Sequence, residues 1–148
     1  MQIDEKTIKW VNTVLTEISK IDSELGKEML LECGIECSKA FGLFQAAEKT
    51  RNEIEDKNNI DLLFNTFKEK HYNTPRLYKE GNTIFLEYSE CYCPMVKEGV
   101  NNPFLCNCTI GYTKGVYETL FGKPVDVNLL QSVLRGDKIC KQTIIIKE

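Results

Sequence analysis

Residues 91–140 read CYCPMVKEGVNNPFLCNCTIGYTKGVYETLFGKPVDVNLLQSVLRGDKIC and hold five of the chain's seven cysteines. Four of these form two Cys-x-Cys pairs, Cys91/Cys93 and Cys106/Cys108. The second pair opens a run that reads as a helix from Cys106 to Phe121. Gly122 is placed to end it in the left-handed conformation, and Pro124 bars its continuation. Inside that helix Gly111 and Gly115 lie four apart, leaving one side bare so that another backbone can approach. Beyond it, residues 125–134 and 139–146 read as strands joined by Arg135-Gly136-Asp137-Lys138. Val125, Val127 and Leu129 alternate as a half-buried strand requires.

Upstream of this stretch the period changes. Trp10, Val11, Val14, Leu15, Ile18 and Ile21 recur at three- and four-residue spacing, predicting a helix from about Glu5 to Ile21 with Asp4 as its N-cap. Asp22 and Ser23 end it or cap a second helix over about residues 24–31, within which Gly26 is unfavourable. Cys33 and Cys37 would share a face if helical, and they read as small buried apolar residues rather than ligands. Gly34 and Gly42 mark either close packing or a break. Residues 52–59 are polar and read as a connection or the exposed start of a helix. Ile60, Leu63, Phe64, Phe67 and His71 then give another helix, capped by Asn59 and stopped at Thr74-Pro75. Two β-type runs, residues 76–79 and 83–88, follow, with Gly81-Asn82 supplying positive φ at the turn and the second run ending near Cys91–Cys93. The order helices, hairpin, helix, hairpin predicts one α+β domain over residues 1–148, its N-terminal helices packed on an antiparallel sheet of about four strands.

Composition bounds the function. A chain of 148 residues with 42% hydrophobic and 28% charged residues is an ordinary globular length and mixture, able to bury roughly two thirds of its unfolded surface. A net charge of −3 and a pI near 5.4 argue against nucleic-acid binding. No stretch of about 18 apolar residues predicts a membrane span, and the acidic opening MQIDEKTIKW does not read as a secretory signal. A cytoplasmic location is therefore expected, where thiols stay reduced.

In that setting the cysteines have three readings: metal ligands, a metal-free thiol cluster, or disulfides. Cys91 and Cys93 would share a face of an extended segment, and Cys106 and Cys108 a helix start, where the dipole favours thiolate. Two pairs brought together supply the four sulfurs that zinc prefers, with iron the other candidate. His71, the single histidine, reads as a helix-end cation before it reads as a base. No phosphate-cradling glycine loop and no Gly-x-Ser-x-Gly elbow is present.

Three segments, Cys106-x4-Gly111-Tyr112-x2-Gly115, Gly122-Lys123-Pro124-Val125-x-Val127 and Gly136-Asp137-x2-Cys140, resemble the 4-vinyl-reductase domain. That domain also serves as the sensor module of bacterial activators responding to aromatic compounds. The chain is similar as well to small bacterial domains carrying Cys-Gly-x2-Cys and Cys-x-Cys, grouped with thiazoline-carboxylate hydrolase-like proteins. The sensor-domain resemblance implies a zinc site in which Cys106 and Cys140 match two ligands, while Leu129 and Ser132 stand where a Glu and a Cys would be. A rebuilt site would then add two of Cys91, Cys93 and Cys108.

The sequence thus leads to a small-molecule-binding or sensing domain. It would have a cysteine metal site (Cys91, Cys93, Cys106, Cys108, Cys140) beside an apolar pocket (Phe64, Phe67, Tyr112, Val116). A small apolar or aromatic ligand and a homodimer are the expected partners. The alternative is a thiol-dependent enzyme, hydrolase-like or redox, using Cys106 or Cys108, with His71 or a carboxylate as base.

Overall fold

A computed structural model describes residues 3–71 and 76–148. Helix α1 (Glu5–Ile21) begins where predicted, with the Asp4 carboxylate accepting from Thr7 N–H at 2.8 Å. Its apolar stripe is only partly used. Leu15 is buried, whereas Trp10 is 66% exposed and Ile21 81% exposed. Asp22 breaks the helix and caps the next, accepting from Glu24 N–H at 3.0 Å and Leu25 N–H at 3.2 Å.

Helix α2 (Ser23–Ala40) corrects the sequence reading, which stopped it near Leu31. It runs on through Gly26 and Gly34 because those glycines are packing positions. Its buried residues, Gly26, Leu30, Gly34 and Ser38, form one i, i+4 row. Cys33 falls off that row and is exposed, so its expected burial is also corrected. The helix ends at extended Phe41, and Gly42 opens α3 (Gly42–Glu53). Helix α4 (Ile60–His71) is capped by Asn59, which accepts from Leu62 N–H at 3.0 Å. The expected stop at Thr74-Pro75 lies outside the described residues.

Strands β1 (Leu77–Glu80) and β2 (Thr83–Tyr88) form the first hairpin. Gly81 takes φ +60°, but Asn82 does not share the positive φ expected of it. Strand β2 stops at Tyr88, short of the cysteines, and Pro94 starts a short helix, α5 (Pro94–Lys97), rather than ending a strand. After a 3₁₀ turn at Pro103–Leu105, helix α6 (Cys106–Phe121) ends at Gly122 with φ +63°. Strand β3 (Val125–Gln131) is shorter than predicted: its pairing slips between Leu129 and Gln131, and a 3₁₀ turn (Val133–Arg135) leads to β4 (Cys140–Ile146). The four strands lie in the order β1-β2-β4-β3, all antiparallel. The α+β architecture is therefore as expected.

One core lies between the sheet and the helices α3, α4 and α6. Leu63, Phe67, Leu77, Ile84, Leu120, Val125 and Ile144 there are fully buried, each worth roughly 1.5–3 kcal/mol relative to exposure. A smaller core gathers Leu15, Leu30, Val100 and Leu105 beneath α1 and α2. The two are joined by the contact between α2 and α6. Gly111 abuts the Leu31 carbonyl, Gly34 abuts the Cys108 carbonyl, and Gly115 faces the Ser38 hydroxyl. Gly34 lies against Cys108 and Tyr112, and Ser38, one turn further along α2, lies against Gly115, further along α6, so the two helices run parallel.

At Gly34 or Gly111 an added Cβ would drive into backbone, which cannot yield. Gly34→Ala and Gly111→Ala should each lower unfolding free energy by about 1–3 kcal/mol, despite the ~1 kcal/mol better helix propensity of alanine. Gly42, with open space around it, is the control: Gly42→Ala should be neutral or stabilising in the same urea titration.

Candidate functional site

Where the two cores meet, a cavity of about 420 Å³ opens, within the range of small-molecule sites. Three sets of residues wall it. The first comes from α2 and α6: Cys37, Cys106, Cys108, Thr109, Tyr112 and Thr113. The second is the segment after β2, where Cys91, Cys93, Met95 and Val96 line the space on either side of Pro94. The third is the end of the sheet, with Leu129, Ser132, Leu134, Cys140 and Gln142.

Each wall is held by local chemistry. The loop entering α6 is tied to α1: Asn102 donates to Thr16 Oγ1 at 3.0 Å and accepts from Phe104 N–H at 2.9 Å. Asn101 N–H reaches Asn12 at 3.2 Å. At the sheet end, Asp137 accepts from Ser132 N–H at 2.8 Å, and Ser132 Oγ accepts from Leu134 N–H at 3.2 Å. The same hydroxyl lies 3.2 Å from Cys106 Sγ, and Cys140 Sγ accepts from Val133 N–H at 3.4 Å. The β3 slip is what turns the chain inward so that Ser132 is buried beside Cys106.

Six of the seven cysteines therefore border one cavity, and all seven are free thiols. Burial pushes the Cys108 thiol up to about 12, with Cys37, Cys93 and Cys33 adding like-charge repulsion. Burial also raises Cys106, against the opposing Ser132 hydrogen bond and Arg135 charge. It raises Cys91 and Cys37 as well, with neighbouring thiols contributing to both. The helix-start position was expected to favour thiolate at Cys106 and Cys108. Desolvation outweighs it, because the dipole is worth only about 0.3–1 kcal/mol.

The five cysteines read from the sequence, Cys91, Cys93, Cys106, Cys108 and Cys140, all line the cavity. Cys37, read first as a packing residue that could still face the cluster from a neighbouring helix, joins them. Leu129 and Ser132 lie in the same lining as Cys106 and Cys140. Among the described residues, however, no three His, Cys, Asp or Glu side chains are placed to share a metal ion. The donor chemistry suits zinc or iron, but the arrangement is not a ligand set. Of the expected pocket residues, Tyr112 lines the cavity, while Phe64, Phe67 and Val116 belong to the core behind it. His71 is exposed at the end of α4, its ring 5.3 Å from that of Phe67.

One lining residue carries no cysteine chemistry and was not singled out in the sequence. Gln142 is 0% exposed, and neither its Nε2 nor its Oε1 has a hydrogen-bond partner among the described residues. An unsatisfied buried group costs about 1–3 kcal/mol. The signal was present, since Gln142 alternates with Cys140 and Ile144 on the inward face of its strand. Tyr117 Oη is also buried without a partner among the described residues, but it lies in the core between Phe67 and Phe121 rather than on the cavity. Among the described residues no helix is long and apolar enough to cross a membrane.

The fold is similar to that of the phenol-responsive sensory domain of the transcription activator PoxR, solved with phenol. The match has 12% identity and a TM-score of 0.53, and covers 99% of this chain and 76% of that one. At that identity the likeness is one of fold. A trafficking protein particle complex subunit 3 from Naegleria fowleri, covalently bound to palmitic acid, matches at 10% identity and TM-score 0.48 over 98% of both chains. A vinyl-4-reductase family protein from Methanocaldococcus jannaschii matches at 17% identity and TM-score 0.30, over 100% of this chain and 99% of that one. No curated protein sequence matches. A family model described as a family of unknown function, DUF6144, matches residues 1–148, and the chain belongs to that family.

Proposed function

We propose that this chain is a binding module for a small, mostly apolar molecule, held in the cavity between α2, α6, the Cys91–Val96 segment and the end of the sheet. The observation that carries this reading is the cavity itself: about 420 Å³, walled by aliphatic, aromatic and thiol side chains with few polar groups. The PoxR sensory domain, which has a similar fold and was solved with phenol, makes an aromatic ligand the first class to try. A cytoplasmic location, keeping the thiols reduced, belongs to the same reading. β-Naphthol, followed by its own fluorescence, should bind saturably at one site per chain. Leu129→Trp, which fills the cavity from β3, should weaken that binding about tenfold or more, or ~1.4 kcal/mol, while leaving the circular dichroism spectrum unchanged. Failure of every neutral aromatic tried to bind saturably would sink the proposal.

The alternative of a thiol-dependent enzyme needs Cys106 or Cys108 as thiolate near neutral pH, and burial holds both protonated. This supports binding over nucleophilic catalysis. The same burial makes stability pH-dependent. Between the ordinary thiol value of 9.0 and about 12, the unfolded chain has released the Cys108 proton and the folded chain has not. The unfolded state then binds fewer protons, so stability falls as pH rises through that window and is flat below it. Urea midpoints measured across it should fall, and Cys108→Ser should make the fall shallower. Rapid alkylation of Cys106 or Cys108 at pH near neutral would instead favour the enzyme.

Zinc, or iron, bound by thiolates drawn from Cys91, Cys93, Cys106, Cys108 and Cys140 is a separate proposal. Its support is that all five residues border one cavity. Holding an ion would require several of the sulfurs to draw together and lose their protons. Elemental analysis of protein purified under reducing conditions should then find stoichiometric metal that drops on Cys140→Ser. A trace level in the wild type overturns it.

A further inference from the structure

We infer that Gln142 is the specificity element of the cavity, and that it selects a neutral ligand whose polar end both donates and accepts a hydrogen bond. A ring-borne hydroxyl or a carboxamide has that chemistry. The inference deepens the proposed binding function and rests on it.

Gln142 pairs with Leu86 on β2 and with Leu129 on β3, so it sits on a central strand with neighbours on both sides. The alternation of β4 turns it to the same face as Cys140, which also lines the cavity, and Ile144, which is core. At that position an apolar side chain would be the ordinary choice. A primary amide placed there without partners among the described residues is a standing cost, and the cost disappears when a ligand supplies an acceptor to Nε2 and a donor to Oε1. A hydroxyl or a carboxamide answers both atoms, and a hydrocarbon answers neither.

Charge narrows the class further. Among the described lining residues Glu90 is the only Asp, Glu, Lys, Arg or His. Arg135 acts on Cys106 from outside the lining. A carboxylate ligand would therefore lose its hydration, find no lining cation and meet one lining anion. A site built to hydrogen-bond a substrate rejects the analogue lacking that group far more strongly than an apolar pocket rejects a change of shape.

The test uses the full chain and a matched series: β-naphthol, β-naphthamide, naphthalene and β-naphthoate, with affinities measured for wild type and Gln142→Met. In wild type, naphthol and naphthamide should bind about tenfold or more tighter than naphthalene, with naphthoate weakest. Gln142→Met should lose most of that preference through weaker naphthol and naphthamide binding, with naphthalene unchanged or tighter. Equal binding of naphthol and naphthalene by wild type, or a preference that survives in Gln142→Met, overturns the role of Gln142 and leaves the binding function standing. Absence of binding by all four compounds overturns both. A second measurement needs no ligand. The variant replaces an unsatisfied amide with an apolar chain of similar shape, so its melting temperature should equal or exceed that of wild type. A clear drop would show that the amide already has partners and would overturn the inference.

Discussion

The close contact of α2 with α6 is the constraint on which the rest of the molecule depends. Glycines at Gly34 and Gly111 let each helix touch backbone of the other, and Gly115 faces the Ser38 hydroxyl. Parallel helices at that separation cannot be joined by a short loop. The chain between them must travel back along their length, and α3, α4 and the first hairpin occupy that return. The same contact sets the first turns of α6 against the second half of α2. It thereby places Cys108 close enough to Cys37 and Cys33 for their charges to interact.

The site that results is one in which solvation decides the chemistry. A helix start and a nearby Arg135 both favour negative charge at Cys106, yet removal from water prevails. Sulfur in this state behaves as a polarisable, weakly polar surface, close in character to the methionine and aliphatic chains beside it. Against such a lining a single unpaired amide is the most polar feature in reach. Among the described lining residues only Glu90 carries a formal charge.

Much of this was legible in the residues. The bounds of α1 and α6, the Asp4 and Asn59 caps and the left-handed Gly122 follow from local rules, because local hydrogen bonds and backbone freedom decide them. The four antiparallel strands follow from patterning and element order, but the place of β4 between β2 and β3 rests on pairing of residues far apart in the chain. The grouping of Cys91, Cys93, Cys106, Cys108 and Cys140 around one space was implied by the family resemblance, while the Cys-x-Cys spacing by itself marked only the two pairs. What the sequence did not reveal depends on distant partners. Helix α2 continues through Gly34 because α6 fills the space that a side chain would have taken; in the sequence Gly34 marks close packing or a break alike, and only the partner helix decides between them. Cys33 and Cys37 look equivalent until α6 is in place; one is then exposed and the other faces the cavity. Phe64, Phe67 and Val116 have the composition of pocket residues and of core residues alike. Only the packing of α4 and α6 on the sheet assigns them to the core.

The crowding of thiols has one more consequence. Cys91, Cys37 and Cys108 each feel the charge of other cysteines, and Cys93 acts on all three. Each of these three is held protonated first by removal from water and second by its neighbouring sulfurs. Loss of the one Cys93 thiol would therefore ease ionisation at three separate places in the wall without exposing any of them to water.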